Sequence, residues 1–309
     1  MTTYGFSLLM RGKDATPTNF TKMAKTSEEL GLDSLWCSSH IIMPPQVESG
    51  YVGIPGAKHP PHWSEQYWEP MTVLSYLAAQ TSKLTLGTSV TVLPMHNPIE
   101  VAKQVAEVDQ LTRGRFVFGV GVGWFSEEFG VLGQDFQTRG KRTDEALEMM
   151  QTLWTEEPAS FNGEFFQFSD AHFAPKPVQQ PHPPIWIGGK AGAALRRAAR
   201  FGDAFHPVRP TYEKLIEDWA KVRELALGYG RNADSLELAV KVPIIFQNDA
   251  PGEGQYYTQG RPEDMVESLQ RFMEIGASHF VLDLVPETME NAMETMQRFA
   301  EEVMPKVEN

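Results

Sequence analysis

One histidine in this chain stands where a proton donor or acceptor would be useful. His40 follows an apolar run that ends at Cys37, with only Ser38 and Ser39 between them. An imidazole gains or loses its proton near neutral pH, so His40 could act as a general acid or base; a hydrogen bond to the loop backbone is the alternative role. Ser39 and His40 do not suggest a nucleophile and its base, because neighbouring residues at a strand end point in opposite directions. Hydrolase chemistry is therefore disfavoured.

Glycines recur at every second position near the end of another apolar run. Gly119, Gly121 and Gly123 precede Trp124, in a segment that otherwise suits a strand covered on both faces. Alternate residues share one face of a strand, so this face lacks side chains. Two explanations remain open: a flat group lies against the backbone there, or the glycines ease packing in a crowded interior.

Two more segments bring glycine together with polar groups. Gly188, Gly189 and Lys190 lead from an apolar run into a helix of small residues, and amide groups at a helix N-terminus bind anions such as a cofactor phosphate. The same Gly-Gly pair is also ordinary turn chemistry. Thr88 and Ser89 follow a glycine within a β-branched run, where hydroxyl groups can hydrogen-bond a ring that approaches the backbone.

The sequence does not predict a metal site. His59 and His62 flank two prolines that form a stiff spacer, and no acidic residue of that segment completes a recognisable ligand set. His96 follows the third strand-like run, again without ligand spacing. Cys37 is the only cysteine, which excludes a disulfide within the chain and a cysteine metal cluster. At the end of an apolar run it is more typical of a small buried residue than of a nucleophile.

Composition and charge narrow the class of protein. The 309 residues are 41% hydrophobic and 22% charged, as in globular proteins with a large core. A formal net charge of −13 disfavours nucleic acid and anionic membrane surfaces as partners, because both attract basic proteins. No run is long enough to span a membrane, and residues 1–6 lack the basic and apolar parts of a signal segment. We therefore expect a cytoplasmic protein.

Strand-like and helical patterns alternate along the whole chain. Eight strand candidates cover residues 4–9, 34–37, 84–93, 116–122, 185–187, 204–205, 236–246 and 280–284. Helical patterns follow at residues 20–30, 71–80, 99–111, 143–154, 193–201, 212–227, 263–275 and after 288; Asn97 and Pro98 give the third of them a clear start. Parallel strands need such crossovers, so the pattern predicts an α/β fold, a (β/α)8 TIM barrel with residues 1–309 as a single domain. An open doubly wound sheet is the alternative, but the first strand lacks the Gly-x-Gly-x-x-Gly turn of dinucleotide-binding folds.

Three segments are longer than ordinary connections. Residues 43–67 are rich in proline, glycine and aromatic residues; on a barrel they would lie over the catalytic face and receive a small-molecule substrate, unless they form a variable surface loop. Residues 156–184 contain Asn162-Gly163 between aromatic residues, which is typical of a hairpin turn. Residues 248–260 are glycine-rich and are expected to form a flap.

Four motifs together resemble those of the luciferase-like monooxygenase superfamily of flavin and deazaflavin enzymes, most closely its branch dependent on coenzyme F420. They are Leu-Gly-Thr-Ser-Val at 86–90, Gly-Arg-Phe-Val-Phe-Gly-Val-Gly-Val-Gly-Trp at 114–124 with Glu-Glu-Phe at 127–129, Pro-Ile-Trp-Ile-Gly-Gly at 184–189, and Gly-Arg-Pro-Glu-Asp at 260–264. The likeness covers nearly the whole chain in order. The second and third motifs are specific to the superfamily, and none is specific to a substrate.

The resemblance implies a barrel that holds the cofactor ring at the C-terminal ends of its strands. A non-proline cis peptide commonly supports the ring in such proteins, and here it would fall at Ser89-Val90. The resemblance also implies that Gly123 and Trp124 border the ring, that Lys190 approaches the phosphate, and that His40 is the catalytic proton donor or acceptor. The full set of expected cofactor-binding residues is Ser39, Thr88, Ser89, Val90, Val122, Gly123, Trp124, Gly188, Gly189 and Lys190.

The chain departs from part of this family at one position. Some deazaflavin dehydrogenases carry Asp-His where this sequence has Ser39-His40. We therefore expect His40 to lack the charge partner that would tune its pKa, which also weakens the case for a sugar-phosphate substrate.

The expected activity is hydride transfer from reduced coenzyme F420 to an unsaturated or carbonyl compound, with His40 assisting proton transfer. The first alternative is a monooxygenase that uses reduced FMN and O2, since the same barrel would hold a flavin. The second alternative is a flavin-binding protein without turnover. A small-molecule substrate is the expected partner, neither nucleic acid nor membrane is expected, and a homodimer is suggested only by analogy with relatives that pair their barrels.

Overall fold

The computed structural model describes residues 2–44, 49, 66–190, 192–252 and 257–307. Its strands, numbered along the chain, are β1 (Thr3–Ser7), β2 (Ser34–Cys37), β3 (Thr85–Thr88), β4 (Thr91–Val92), β5 (Phe116–Gly121), β6 (Ala159–Asn162), β7 (Gln167–Ala171), β8 (Ile185–Gly188), β9 (Ala204–His206), β10 (Glu237–Phe246), β11 (Gln259–Gly260) and β12 (Ala277–Leu284). Within the described ranges, eight strands pair in parallel in the order β1, β2, β3, β5, β8, β9, β10 and β12, and β12 pairs back with β1. The predicted closed parallel barrel is confirmed, and the open sheet is excluded.

Helices connect successive barrel strands on the outside, as predicted. They are α1 (Pro17–Glu29), α2 (Pro70–Ala78), α3 (Pro98–Thr112), α4 (Ser126–Val131), α5 (Arg139–Thr155), α6 (Gly192–Phe201), α7 (Tyr212–Gly228), α8 (Pro262–Ile275), α9 (Met289–Arg298) and α10 (Met304–Val307). The predicted start of α3 is confirmed, because the Asn97 side chain accepts a hydrogen bond from the Ile99 amide at 3.0 Å and Pro98 is the first helical residue. The largest apolar core lies between these helices and the barrel wall.

Side chains fill the interior of the barrel. Trp36 of β2 and Trp186 of β8 stack with their ring centroids 4.3 Å apart. The Trp36 indole occupies the space that a side chain at Gly87 would need. Four smaller residues complete this inner cluster: Val117, Ala204, Ala239 and Val281. The interior is therefore a packed core, which leaves the strand ends as the place for a site.

The third predicted strand, residues 84–93, is wrong as a single strand. β3 ends at Thr88, the peptide bond between Ser89 and Val90 is cis, and only β4 resumes the strand. Both β3 and β4 pair in parallel with β5. The cis peptide that the family resemblance implied is therefore present at the expected bond.

The predicted hairpin is confirmed as the antiparallel pair of β6 and β7. Asn162 pairs with Gln167, so four residues join the two strands, where an Asn-Gly turn alone would need two. The Glu145 carboxylate of α5 accepts hydrogen bonds from the three amides of residues 164–166 at 2.7 to 2.8 Å. This anchor to a helix accounts for the longer connection.

Much of the predicted loop over the catalytic face and part of the predicted flap lie outside the described residues, in ranges 45–48, 50–65 and 253–256. His59 and His62 fall in the same ranges. In the part of the chain that the structure describes, no helix combines the length and apolar character that crossing a membrane requires.

Candidate functional site

Four segments that the sequence singled out meet at one end of the barrel. His40 follows β2, Ser89 follows β3, Gly123 follows β5, and Gly189 follows β8. These four strands are consecutive in the barrel, so their C-terminal ends lie side by side. The C-terminal end is where barrels of this type carry their sites.

His40 hydrogen-bonds a carboxylate that comes from a different part of the chain. Its Nδ1 lies 2.8 Å from Oε2 of Glu128 in α4, and the two side chains are 11% and 0% exposed. The rings of Tyr67 and Phe125 pack edge-on against the imidazole, with centroids 5.2 and 6.2 Å away. A carboxylate at Nδ1 fixes the tautomer of the ring and leaves Nε2 as the atom that exchanges a proton.

Glu128 is held in its ionised form by several donors. Its Oε1 accepts hydrogen bonds from the amides of Ile41 and Ile42 at 2.6 and 3.1 Å. Burial alone would raise the pKa of this carboxyl group, but the hydrogen bond and charge of His40 and the two amides together hold that pKa below its usual value. The resulting carboxylate accepts the Nδ1 hydrogen of His40 and fixes the orientation of the imidazole.

The expectation that His40 lacks a charge partner is therefore wrong. It rested on Ser39, the adjacent residue, whereas the carboxylate is supplied from 88 residues away. The signal was present in the Glu-Glu-Phe part of the second motif. α4 was not predicted because its six residues are too few to show helical periodicity.

The cis peptide Ser89-Val90, called the shelf below, packs against glycines of β5 and β8. A β-carbon at Gly121 would lie 2.6 Å from Cγ2 of Val90, and one at Gly188 would lie 3.0 Å from its Cγ1. A β-carbon at Gly119 would collide with the last carbonyl of β3. The glycines of β5 and β8 therefore make room for the bent third strand, which itself presents the shelf.

The shelf is tied to the barrel interior by its hydroxyl groups. Thr88 is fully buried and donates to the carbonyl of Gly119 at 2.7 Å. Ser89 Oγ lies 2.9 Å from Nε2 of His206, whose Nδ1 lies 2.7 Å from the carbonyl of Ala239. A carbonyl only accepts, so Nδ1 carries the proton and Ser89 donates to Nε2; burial lowers the pKa of His206 to about 4 and keeps it neutral. Both hydroxyl hydrogens are thus committed to the protein.

The other predicted residues lie at or just after the ends of β2, β5 and β8. Trp124 stacks on Phe125 at 5.1 Å between ring centroids, and its own centroid lies 6.4 Å from that of His40. Ser39 Oγ is buried and has no hydrogen-bond partner among the described residues. Val122, Gly123, Gly188 and Gly189 are half-buried, and Lys190 is exposed. A buried hydroxyl that has no partner among the described residues can hydrogen-bond a bound molecule.

A charged cluster that the sequence did not reveal contacts the shelf from the opposite side of the barrel. Nζ of Lys241 in β10 lies 3.3 Å from the carbonyl oxygen of Ser89 and 3.2 Å from Oδ1 of Asp283 in β12. Ser7 of β1 donates to the same carboxylate oxygen at 2.6 Å, and an Arg209 nitrogen lies 3.8 Å from the other oxygen. The sequence signal was only a lysine within the apolar run of β10.

His96, the histidine considered as a metal ligand after the third strand, lies in the connection between β4 and α3. His96 Nε2 is buried without a hydrogen-bond partner in the described ranges, and burial lowers the pKa of its ring. Among the described residues, no group of three or more His, Cys, Asp or Glu side chains is arranged to hold a metal ion.

Comparison with known proteins gives a consistent result. Residues 2–251 match the family model described as luciferase-like monooxygenase. The FMNH2-dependent dimethylsulfone monooxygenase of Pseudomonas putida is 37% identical over 57% of this chain, which spans 48% of that protein, or about half its length. The F420-dependent glucose-6-phosphate dehydrogenase of Amycolatopsis mediterranei (strain U-32) is 26% identical over 94% of this chain and 95% of that protein.

Solved structures of low sequence identity share the fold. An F420-dependent secondary alcohol dehydrogenase, in complex with an F420-acetone adduct, has a TM-score of 0.80 at 21% identity and covers 100% of this chain and 99% of its own. The monooxygenase RslO1 from Streptomyces bottropensis has a TM-score of 0.79 at 19% identity, over 98% and 99% of the two chains. The barrel, the shelf and the match over residues 2–251 together establish that this chain belongs to the luciferase-like monooxygenase family.

Proposed function

We propose that the protein is an oxidoreductase that transfers hydride from reduced coenzyme F420 to an unsaturated or carbonyl group of a small organic substrate. The observation that carries this proposal is the placement of His40 and Glu128 next to the glycine-bedded shelf at Ser89-Val90. The shelf and the end of β2 are joined directly, because the Ser89 amide donates to the carbonyl of Cys37 at 2.7 Å. A cofactor platform and a proton-exchanging side chain thus share one corner of the barrel.

The choice of coenzyme F420 over FMN is supported by the extent of the alignments. The relative that aligns with 94% of this chain is named for its dependence on F420. The relative named for FMNH2 aligns with 57% of this chain. The fuller alignment thus extends over nearly the whole chain, whereas the other covers little more than half of it.

The residues at the barrel mouth fit a flat ring that carries a phosphate. The methyl groups of Val90 pack against Gly121 and Gly188, and its side chain remains half-buried. Among the described residues, the buried hydroxyl group of Ser39 has no hydrogen-bond partner. Lys190 precedes α6 and adds a positive charge close to backbone amides. When bound, the reduced coenzyme supplies the hydride, and the chain supplies its orientation.

His40 would exchange the accompanying proton with the substrate. Glu128 accepts the hydrogen of Nδ1, so Nε2 is the atom that takes up or releases a proton. The buried carboxylate holds the imidazole in one orientation, since two backbone amides fix its other oxygen. The pair is therefore arranged as a general acid or base with a fixed orientation.

A reduced-FMN monooxygenase is the second candidate, and the 37% identity to a dimethylsulfone monooxygenase favours it. The same shelf would hold a flavin ring, whose reduced form reacts readily with oxygen, whereas a deazaflavin does not. Oxygen consumption therefore separates the two candidates. A binding protein without turnover is the third, and it predicts that the reduced cofactor stays protected from every acceptor tried.

The test is a pair of equilibrium titrations of the purified protein with coenzyme F420 and with FMN, followed by fluorescence, and then an oxygen-electrode trace with each reduced cofactor. Tighter binding of F420 and no oxygen uptake are expected. Tight binding of FMN with oxygen uptake would replace the first candidate by the second. Binding of NADP in preference to both would overturn the assignment.

A further inference from the structure

The cluster that contacts the shelf across the barrel has no assigned role in the proposed reaction. Lys241 is only 9% exposed, yet it carries a charge into the interior and bonds the shelf carbonyl of Ser89 at 3.3 Å. Its backbone is fixed on both sides, because its amide donates to the carbonyl of Pro207 and its carbonyl accepts from the amide of Arg209 at 3.0 and 2.7 Å. The ammonium group is thus held in one place relative to the shelf.

Asp283 is the charged partner of this lysine. Burial alone would raise the pKa of its carboxyl group, but the Lys241 charge, the Ser7 hydroxyl and Arg209 hold that pKa below its usual value, so the group is ionised. Lys241 and Ser7 share one carboxylate oxygen, at 3.2 and 2.6 Å. Lys241 therefore contacts the shelf directly, whereas the Asp283 carboxylate reaches the shelf only through Lys241.

We propose that Lys241 and Asp283 are positioning residues that set the reduction potential of the ring bound on the shelf, through the carbonyl of Ser89. The inference rests on the proposed function in one respect only, namely that a flavin or deazaflavin binds there. It does not depend on which of the two cofactors binds, or on the substrate.

The physical basis is a fixed pair of charges in a medium of low polarity. Electrostatic interactions are much stronger in a buried site than in water, so a charge bonded to the shelf would change the energetics of a ring held there. Reduction adds electrons to the ring, so the nearer ammonium favours the reduced form and the carboxylate opposes it. Buried ion pairs are often replaceable by apolar residues. If this pair served only for packing, replacing its two members would not shift the energetics of the ring in opposite directions.

The measurable quantity is the ratio of the dissociation constants for oxidised and reduced cofactor, because that ratio reports the potential shift caused by the protein. We expect Lys241→Met to lower the ratio roughly tenfold, which corresponds to about 30 mV for a two-electron couple. Asp283→Asn is expected to raise the ratio by a similar factor. The variant with both substitutions is expected to return close to the wild-type value, because the two effects oppose each other.

The experiment measures both dissociation constants anaerobically for whichever of FMN and coenzyme F420 the wild-type protein binds, with dithionite as the reductant. Lys241→Arg keeps the charge and should keep the ratio within about twofold of wild type. Glu237→Gln removes a carboxyl group at the N-terminal end of the same strand and should leave the ratio unchanged. If Lys241→Met does not fold, the isosteric Asp283→Asn and the double variant still decide the question.

Two negative outcomes are distinct. If the wild-type protein binds the cofactor but Asp283→Asn and the double variant have the same ratio as each other, Lys241 has no effect. In that case the inference is wrong while the proposed function stands. If the wild-type protein binds neither FMN nor F420, the proposed function itself fails, and the inference with it.

Discussion

The barrel mouth has two charged sides that contact the same shelf in different ways. On the proton side, His40 and Glu128 meet at 2.8 Å beside the end of β2, and the imidazole keeps 11% of its surface exposed. On the fixed-charge side, Lys241 and Asp283 meet at 3.2 Å, and the lysine bonds the shelf itself. Both sides pair a basic side chain with a carboxylate. The difference lies in the residue type: an imidazole can give or take a proton in a reaction, whereas a lysine ammonium group is a compact point charge.

This difference assigns separate tasks to the two sides. A histidine that reaches the mouth can exchange a proton with a bound molecule. A lysine locked between a carbonyl and a carboxylate can only act through its charge. Mutations on the proton side should therefore change rates and pH profiles, while those on the fixed-charge side should change cofactor energetics.

The largest expected effect follows from replacing His40 on the proton side. We expect His40→Ala to lower kcat by roughly 10² to 10⁴-fold, the usual contribution of general acid–base catalysis, with the cofactor dissociation constant unchanged. His172→Ala serves as the control, because that histidine is 82% exposed in the hairpin. Steady-state kinetics alongside cofactor titrations checks both parts. Unchanged turnover in His40→Ala would remove its role.

The neutral His206 beneath the shelf gives a second test, through the pH dependence of the stability of the protein. Burial holds the pKa of His206 at about 4 in the folded protein, below its ordinary 6.5, so the unfolded chain binds more protons in between. The stability that this provides is complete above pH 6.5 and is lost as the pH falls from 6.5 towards 4, by about 3 kcal/mol.

Urea unfolding between pH 7 and pH 5 tests this linkage. We expect the free energy of unfolding of the wild-type protein to fall with pH, and His206→Gln to show a shallower slope. His279, whose pKa burial lowers to about 3, keeps part of the slope in that variant. Parallel slopes for wild type and His206→Gln would contradict the neutral, buried assignment.

The shelf that joins the two sides can be displaced by a single methyl group. A β-carbon at Gly121 would lie 2.6 Å from Val90, so Gly121→Ala should shift the shelf, weaken cofactor binding roughly tenfold and cost about 1–3 kcal/mol of stability. Gly130 of α4 has nothing within 4 Å of the same added carbon. Gly130→Ala is therefore the matched control and should bind the cofactor like wild type. Equal affinities of the two variants would show that the shelf does not carry the ring.

The smallest expected effect is at the carboxylate of the proton side. Glu128→Gln keeps the shape of the side chain but replaces a carboxylate, which only accepts, by an amide that can also donate, so the tautomer of His40 is no longer fixed. We expect kcat/KM to fall by roughly tenfold, as is usual when the group that orients a functional imidazole is lost. Glu127→Gln, one residue away, is the control and should leave kcat/KM unchanged. An equal fall in both variants would mean that the loss reflects a general change in charge rather than this pair.

The sequence predicted the barrel well because its signals are local and repeated. Each strand and each of the longer helices shows its own periodicity, and parallel pairing follows from the crossovers. The break in the third strand at Ser89-Val90 was expected only through the family resemblance, since its residues are as β-prone as the rest of the run.

The site was predicted only in part, because its decisive contacts are long-range. His40 was found from its position after β2, but Glu128 lies 88 residues away on a helix too short to be predicted. Lys241 and Asp283 belong to neighbouring strands, and the sequence of each strand gives its direction but not which side chains of the two strands meet. The glycine row was recognised as a place where something comes close, although the nearest neighbour proves to be the chain itself at Val90.

The central claim is that a flat cofactor lies on the Ser89-Val90 shelf between the proton side and the fixed-charge side. A crystal structure of the protein with bound coenzyme F420 tests it most directly. We predict a ring in contact with Val90, on the side of the shelf away from Lys241, with His40 beside the substrate space. A ring bound away from the shelf, or with no path from His40 to its reactive face, would contradict the account.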